Sequence, residues 1–361
     1  MFPYGPHWFA SVMGTGIVAV GAAGLPFTFP GQEALAITFW ALDVLLFLLV
    51  TAATAVYWRR DRALPLRQLD DPVMSHFYGA PAMGLMTLGA ATMVAGCHVV
   101  GAHPALVADW ILWSLGTALG LSTAVAVPYR AITVHETLDD SAFGGWFMPL
   151  VPPMVSAATG AALVPHLGGQ AQRTMVLGCY ACFGLTLLAT VLTLTALWQR
   201  LLRHGLPAAG VVPTIWIALG PLGQSVTAAH HLGLVAGDAV PGFGDAFRDF
   251  AVLYGVPVWG FAMLWLALAA LLTARTARAG MPFALTWWSF TFPVGTLVTG
   301  TSGLASLTGL DLLDVAAGAL YVLLLAAWAT VAARTALAVL RPAPPTTVTR
   351  AEIVEELALN A

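Results

Sequence analysis

Charged residues are scarce in this chain of 361 residues, and lysine is absent altogether. Charged side chains make up 9% of the sequence, whereas hydrophobic ones make up 59%. A water-soluble globular domain usually carries about a quarter of charged residues, so this composition excludes that class. A net charge of −3 provides no basic face for nucleic acid. Three cysteines are too few for a disulfide framework.

Long stretches without any Asp, Glu, Lys or Arg fill the spaces between the few charges. A bilayer core about 30 Å thick takes roughly 20 apolar helical residues to cross. Nine stretches are long enough, and a tenth, 34–58, is interrupted only by Asp43, so an all-α polytopic membrane protein with ten spans is predicted. The nine charge-free stretches are 1–32, 72–108, 110–129, 141–172, 174–199, 204–237, 250–274, 279–310 and 315–333.

Arginines are distributed unevenly between the two ends of these spans. All the arginines except Arg173 and Arg248 follow even-numbered spans or lie beyond the last one. By the positive-inside rule, both termini are predicted to be cytoplasmic, in a multi-pass protein of the plasma (inner) membrane. The first apolar run lacks a basic n-region and a clear cleavage site, which predicts a retained first helix. Residues 1–341 form the predicted membrane domain, and the Pro-rich and then acidic tail 342–361 is predicted to be disordered.

A repeat of about 70 residues runs through the predicted spans. Each odd-numbered span opens with an aromatic residue, and Gly or Pro follows within eight residues. Proline removes a backbone hydrogen bond and kinks a helix, and membranes tolerate such breaks where protein or a wet cavity covers them. Five helical hairpins are therefore predicted, with the odd helices around a central pore and the smoother even helices outside. The aromatic residues are Trp8, Phe77, Trp146, Trp216 and Trp287.

The helix breakers and the small polar residues near them are the predicted pore lining. Neutral donors and backbone amides at kinks give a weak positive potential, which suits passage of an anion. The alternatives are that Gly and Pro serve tight packing and that Ser and Thr bond back to their own helices. The predicted lining residues are Gly14, Thr15, Gly16, Pro81, Gly84, Pro149, Pro152, Pro153, Ser156, Pro221, Gly223, Gln224, Ser225, Pro293, Gly295, Thr296 and Thr299.

Four stretches carry a resemblance to a known family: WFASVMGTGIVAVG (8–21), WFMPLVPPMVSAATG (146–160), WIALGPLGQSVTAA (216–229) and WWSFTFPVGTLVTG (287–300). They resemble the tellurite-resistance/dicarboxylate transporter family, which includes bacterial tellurite-resistance channels, yeast malate permeases and sulfite efflux pumps, and plant slow anion channels. The resemblance implies ten helices in five hairpins about a pseudo-fivefold axis, and a homotrimer with one pore per subunit. The MGTGI run is more similar to the malate and sulfite branch.

The resemblance also implies a gate, because the family closes its pore with a phenylalanine on the ninth helix. The matching motif here is SFTFPVG, in which Phe290 and Phe292 both fit. Phe292 is preferred slightly because it directly precedes the kink at Pro293. The alternative role for either ring is that of a core aromatic.

Asp43 is the one carboxylate predicted to lie deep in the membrane. A charge there costs roughly 2.5–3.5 kcal/mol on insertion scales, so the group is expected to be protonated, partnered or in contact with water. It is a candidate proton-coupling group, and the alternative is a hydrogen-bonded structural residue. Asp109 is expected to be solvated or to cap a helix.

Histidines and cysteines offer weaker signals. His98, His230 and His231 approach the outer ends of spans and can titrate near neutral pH, although interfacial packing is the alternative. Cys179 and Cys182 have redox or metal spacing but lie inside a span, which favours two small apolar residues. At the inner mouth, the candidates for meeting an anion are Arg130, His135 and Glu136, whose alternative is an ordinary solvated loop.

These features together predict a permease or channel for a small anion such as a C4-dicarboxylate or sulfite. No enzymatic chemistry, metal or cofactor is expected, and the expected partners are the lipid bilayer, the anionic solute and two further copies of the chain. One alternative is an efflux protein giving resistance to a toxic anionic compound such as tellurite or an antibiotic. A remote alternative is an intramembrane redox or metal enzyme that uses Cys179, Cys182 and the histidines.

Overall fold

The computed structural model describes residues 5–135 and 138–340, and the regular structure within them is helical. The predicted tail 342–361 lies outside the described residues. In chain order the α-helices are α1 (Phe9–Ala23), α2 (Gln32–Arg60), α3 (Leu64–Asp70), α4 (Gly79–Ala91), α5 (Cys97–Val100), α6 (Ala102–Thr133), α7 (Pro152–Gly160), α8 (Gly169–His204), α9 (Leu219–Ala239), α10 (Gly244–Arg278), α11 (Phe292–Thr308) and α12 (Asp311–Leu340).

Short helical turns of a different pitch interrupt the chain at regular intervals. A 3₁₀ turn precedes α1, α4, α7, α9 and α11, and the aromatic residue that marks each repeat lies in that turn. A five-residue π-helix, Thr92–Gly96, follows α4, and a further 3₁₀ turn, Ala161–His166, follows α7. Each of these five helices together with its flanking turns is called a broken segment below. The preceding 3₁₀ turns are Pro6–Trp8, Met74–Tyr78, Gly144–Phe147, Val212–Ala218 and Leu285–Phe290.

Six helical stretches of the described chain are long and apolar enough to cross a membrane, so this is a polytopic membrane protein. They are Gln32–Arg60, Met74–Val100, Ala102–Thr133, Gly169–His204, Gly244–Arg278 and Asp311–Leu340. Six of the ten predicted spans thus correspond to continuous apolar helical stretches. The other four predicted spans contain α1, α7, α9 and α11; α1, α7 and α11 are shorter helices, and α9 is long enough but less apolar than the six.

Helix contacts follow the order of the repeats. Each broken segment contacts the long helix that follows it, which gives the pairs α1 with α2, α4 with α6, α7 with α8, α9 with α10, and α11 with α12. The broken helices also contact one another in the order α1, α4, α7, α9 and α11, and α11 contacts α1 again. The five broken segments therefore form a closed ring, with the long helices attached to it.

Tryptophan side chains on four long helices tie each of them to the broken segment of the next pair. In each case the indole N–H donates a hydrogen bond to a hydroxyl or carbonyl oxygen, so a buried polar group is satisfied across the boundary between two pairs. Trp328 on α12 donates to Thr15 on α1, which links the last repeat to the first. The four bonds are Trp40 to Thr92 Oγ1 (3.0 Å), Trp113 to Ser156 O (2.9 Å), Trp259 to Thr301 Oγ1 (2.9 Å) and Trp328 to Thr15 Oγ1 (2.9 Å).

Candidate functional site

Two cavities lie among the broken segments, and residues from all five segments line each of them. The first cavity has a volume of about 20 Å³ and the second about 90 Å³. A cavity of roughly 10–15 Å³ is the smallest that holds a water, and each water in the liquid takes about 30 Å³, so the first cavity has room for about one water and the second for roughly three. The first cavity is lined by Met13, Met83, Met148, Ile217 and Ser289, among others.

Phe292 is the one described residue that lines both cavities. It is the first residue of α11, Pro293 follows it, and its side chain is only 3% exposed. The two cavities therefore meet at this aromatic ring. Phe290 packs edge-on against Trp216 with ring centroids 5.2 Å apart, and it is not among the described lining residues of either cavity.

The threonines of the second cavity have already used their hydroxyl hydrogens. Thr87 and Thr159 donate to carbonyls of their own helices, Met83 O (2.7 Å) and Val155 O (2.8 Å). The hydroxyl oxygens of Thr227 and Thr299 lie 2.7 Å apart, so one of them donates to the other, while each also lies 3.1 Å from a carbonyl of its own helix. The four hydroxyls therefore offer the cavity oxygens but no free donor.

Gln224 and His231 are the remaining polar side chains among the described residues that line the second cavity. Gln224 is 4% exposed, and its Oε1 atom has no hydrogen-bond partner in the described part of the chain. His231 Nδ1 lies 3.1 Å from the carbonyl oxygen of Ala158. Because a carbonyl only accepts, Nδ1 carries the proton and the Nε2 atom remains for another partner.

Most other residues of the predicted lining occupy contacts between helices. Besides Phe292, only Gln224, Pro293 and Thr299 from that prediction are among the described residues lining the two cavities. The glycines are close-approach points, because a Cβ at each would meet a neighbouring helix. Gly14 faces Thr291, Gly16 faces Asp43, Gly84 faces Val12, Gly223 faces Thr296 and Gly295 faces Ile17.

The remaining hydroxyl residues and prolines of the prediction are buried or face the long helices. Pro81 is half-buried, and Pro153 and Pro221 are buried within their broken segments. Each of the four hydroxyl residues has a hydrogen-bond partner: Thr15 accepts from the Trp328 indole, Ser156 bonds the Thr117 hydroxyl, Ser225 accepts a 2.9 Å bond from the Tyr254 hydroxyl, and Thr296 donates to Pro293 O. Pro152 faces Gly120 on α6. Pro149 lines a groove together with His76 and His135.

Two carboxylates, not one, are buried deep in the structure. Asp43 is fully buried, with both oxygens unpartnered in the described part of the chain, and it lies against Gly16 and Thr87. Asp109 is 1% exposed, also unpartnered there, and lies against Gly89. The expectation that Asp109 is solvated or capping is therefore wrong, because α6 turns this face toward α4. Thr87, which also lies against Gly16, lines the second cavity.

The candidate anion contacts at the inner mouth and the cysteine pair are placed elsewhere. Arg130 forms an ion pair with Asp70, so its charge is already balanced. His135 lines a surface groove of about 580 Å³, and Glu136 lies outside the described residues. Cys179 is buried on α8 beside Gly160, and Cys182 is half-buried, which matches their interpretation as small apolar residues.

Comparison with known proteins identifies what this arrangement is similar to. A family model described as voltage-dependent anion channel matches residues 3–336. The sulfite efflux pump SSU1 of Trichophyton rubrum is 29% identical, over 82% of this chain and 80% of that protein. An uncharacterized transporter of Methanocaldococcus jannaschii, MJ0576, is 29% identical over 90% of both chains. The malic acid transport protein of Schizosaccharomyces pombe is 21% identical over 79% of this chain and 67% of that protein.

Proposed function

Because the chain belongs to the voltage-dependent anion channel family, we propose that it passes a small anion along the axis of its five broken segments. The family resemblance found in the sequence is thereby confirmed, and membrane anion transport is the function of the group. Transport through a pore needs no covalent chemistry, so the side chains on the axis bind and release the solute. The path proposed for it runs through the first cavity, past Phe292, and through the second cavity.

The single observation that carries this proposal is the position of Phe292. A ring that borders two cavities, each lined by all five broken segments, is placed where it can close a path between them. In the proposed closed state this apolar ring blocks the axis, and rotation of its side chain opens it. Hydrophobic constrictions gate other channels by excluding water in a similar way.

The proposed membrane arrangement has ten crossings, in five hairpins around this axis. The pairing of each broken segment with the next long helix supports it, as does the closed cycle of contacts among the broken segments. Exposed hydrophobic side chains along the long helices suit a lipid environment. Cytoplasmic termini in the plasma (inner) membrane and assembly into a homotrimer remain part of the proposal, on the arginine distribution and the family resemblance.

Sulfite is the substrate that the size of the second cavity favours. A space for roughly three waters accommodates a single small oxyanion. A C4-dicarboxylate is longer, and its passage requires Phe292 to move before the two cavities can hold it. Relatives named for sulfite efflux and malic acid transport support these two anion classes. Export of sulfite would also make the protein a resistance factor against a toxic anion.

The test is anion flux in proteoliposomes that contain the purified protein. We expect the wild-type protein to carry sulfite above the rate of empty vesicles, and Phe292→Ala to raise the flux several-fold because the constriction is removed. Phe290→Ala is the matched control, since it deletes the same ring two residues away from a position outside both cavities. Equal flux for wild type and Phe292→Ala, or a larger increase for Phe290→Ala, would contradict the gate.

A further inference from the structure

The second cavity offers a solute few hydrogen-bonding groups, so these few groups determine which solute can bind there. Most of its described lining is apolar, and the hydroxyl hydrogens of its four threonines are taken up by carbonyls of their own helices or by the bond between Thr227 and Thr299. Gln224 has a buried and unpartnered amide oxygen, and His231 has one ring nitrogen already bonded. Because an amide oxygen and an oxyanion both accept hydrogen bonds, Gln224 meets an anion through its NH2 group, which a rotation of the side-chain amide by about 180° turns toward the cavity.

We propose that the second cavity is a binding site for one small oxyanion, held by Gln224 and His231 beside Phe292, with His231 binding it more tightly when protonated. The proposal rests on the proposed function and adds to it a defined resting place on the path. It also assigns a selectivity role to two residues of α9.

His231 is oriented to act on the cavity through Nε2. Its Nδ1–H bonds the carbonyl of Ala158 on α7, which fixes the orientation of the ring. The neutral ring presents a lone pair at Nε2, whereas the protonated ring presents an N–H and a positive charge. A charge-assisted hydrogen bond to an anion is roughly twice as strong as a neutral one.

Gln224 supplies the second contact with the anion from a position two turns earlier on α9. It precedes His231 by two turns of α9, so both side chains lie on the same face of the helix. A side-chain amide carries two N–H donors and one acceptor. It can therefore donate to an oxyanion in either protonation state of the histidine, and it binds without adding a fixed charge that would hold the anion too tightly to leave.

A positive charge on protonated His231 is balanced, in this proposal, by the bound anion. The helices α1, α4, α7 and α11 contain no titratable residue, and His230 is the neighbour on α9, with ring centroids 5.4 Å apart. In the described chain no ion pair includes His231. Asp238 lies near the end of α9. The titratable groups on other elements around α9 and the cavity are Arg173, Cys179, Tyr180 and Cys182 on α8, Asp245, Arg248, Asp249 and Tyr254 on α10, His166 after α7, and Asp43 against Gly16.

The experiment measures nitrate binding and flux in steps from about pH 4.5 to about pH 7.5, a range that extends well below the usual histidine value. Nitrate is the probe because it stays a monoanion across this range, so any pH dependence belongs to the protein. Binding is followed by the shift that nitrate causes in the thermal unfolding temperature of the detergent-purified protein. Flux is followed in proteoliposomes. His231→Gln removes the titration and keeps a donor, and His230→Gln is the matched control on the adjacent residue.

We expect the apparent dissociation constant of nitrate for the wild type to fall at least about tenfold on acidification, because the neutral ring offers nitrate only a lone pair at Nε2 and the protonated ring offers a charge-assisted hydrogen bond. His230→Gln should keep this change, His231→Gln should lose it, and Gln224→Leu should weaken binding at every pH. An unchanged pH dependence in His231→Gln overturns the proposal, as does its loss in His230→Gln. Absence of wild-type flux together with pH-dependent binding would refute transport of this anion and retain the site.

Discussion

The broken segments and the long helices have similar apolar composition, yet they occupy different surroundings. In Gln32–Arg60, which contains α2, 22% of the most apolar window is buried within the protein, whereas in Met74–Val100, which contains α4, 56% is buried. The difference follows the breakers, because Gly and Pro allow close contact and free backbone groups that need partners. Placement of breakers therefore separates inner from outer helices where hydropathy does not.

Glycine shows the same contrast residue by residue. A Cβ at Gly223 on α9 would lie 2.6 Å from the carbonyl carbon of Thr296 and 2.7 Å from the amide nitrogen of Leu297 on α11. At Gly184 on α8 a Cβ would meet nothing within 4 Å. The inner glycine is thus required by the approach of another backbone, and the outer one is not.

The largest expected effect comes from breaking this contact between α9 and α11. Gly223→Val should destabilise the fold by about 3 kcal/mol or more, because added atoms meet backbone that cannot rotate away. The measurement is the thermal unfolding temperature and the monodisperse yield of the detergent-purified protein. Gly184→Val, the matched control on α8, should change stability by less than about 1 kcal/mol. Similar losses for both variants would show that the inner and outer glycines are equivalent.

The inner ring could be anticipated from the sequence because its cause is local. Breakers and an opening aromatic residue recur every 70 residues or so, and each aromatic residue lies in a 3₁₀ turn that begins a broken segment. Charge-free length alone located apolar runs, but it did not separate continuous helices from interrupted ones. That distinction depends on where Gly and Pro fall within each run.

The lining of the cavities could not be read from the same pattern. Which residue faces the axis depends on the rotation of each helix, and a nearly uniform apolar helix gives no amphipathic stripe to fix that rotation. Gly14 and Thr15 therefore face other helices, and Gln224 faces the cavity, although all three follow breakers. A signal was missed in the outer helices, where Trp40, Trp113, Trp259 and Trp328 recur at nearly the repeat spacing.

The second expected effect concerns the two buried carboxylates, Asp43 on α2 and Asp109 on α6. Both lie on long helices and face the broken segments, so they test whether the long helices take part in transport. Burial of an unpaired ionised carboxylate is very costly, so the neutral acid is favoured at both sites. Asp43 lies against Gly16 together with Thr87, which lines the second cavity, whereas Asp109 lies against Gly89, which does not. We expect Asp43→Asn to keep the fold and to lower sulfite uptake driven by an inward proton gradient several-fold, measured in proteoliposomes.

Asp109→Asn is the control for this effect, because it also replaces a buried carboxyl by an isosteric amide. Its gradient-driven uptake should match that of the wild type. If Asp43→Asn transports like the wild type with and without the gradient, Asp43 is a structural residue of the contact between α2 and α1. Equal losses in the two variants would point to a general effect of buried carboxyls instead of a path for protons.

The smallest expected effect tests the indole bonds that join the long helices to the next broken segment. Trp328→Phe keeps an aromatic ring against Phe39 but removes the N–H that bonds Thr15, which should cost roughly 0.6–1.7 kcal/mol as for other hydrogen bonds between membrane helices. Trp198→Phe on α8, where the ring is 42% exposed, is the control and should cost less. Thermal unfolding of the two variants in the same detergent measures the difference. A larger loss at Trp198 would mean that lipid-facing indoles, and not those bonded to the inner ring, stabilise the outer helices.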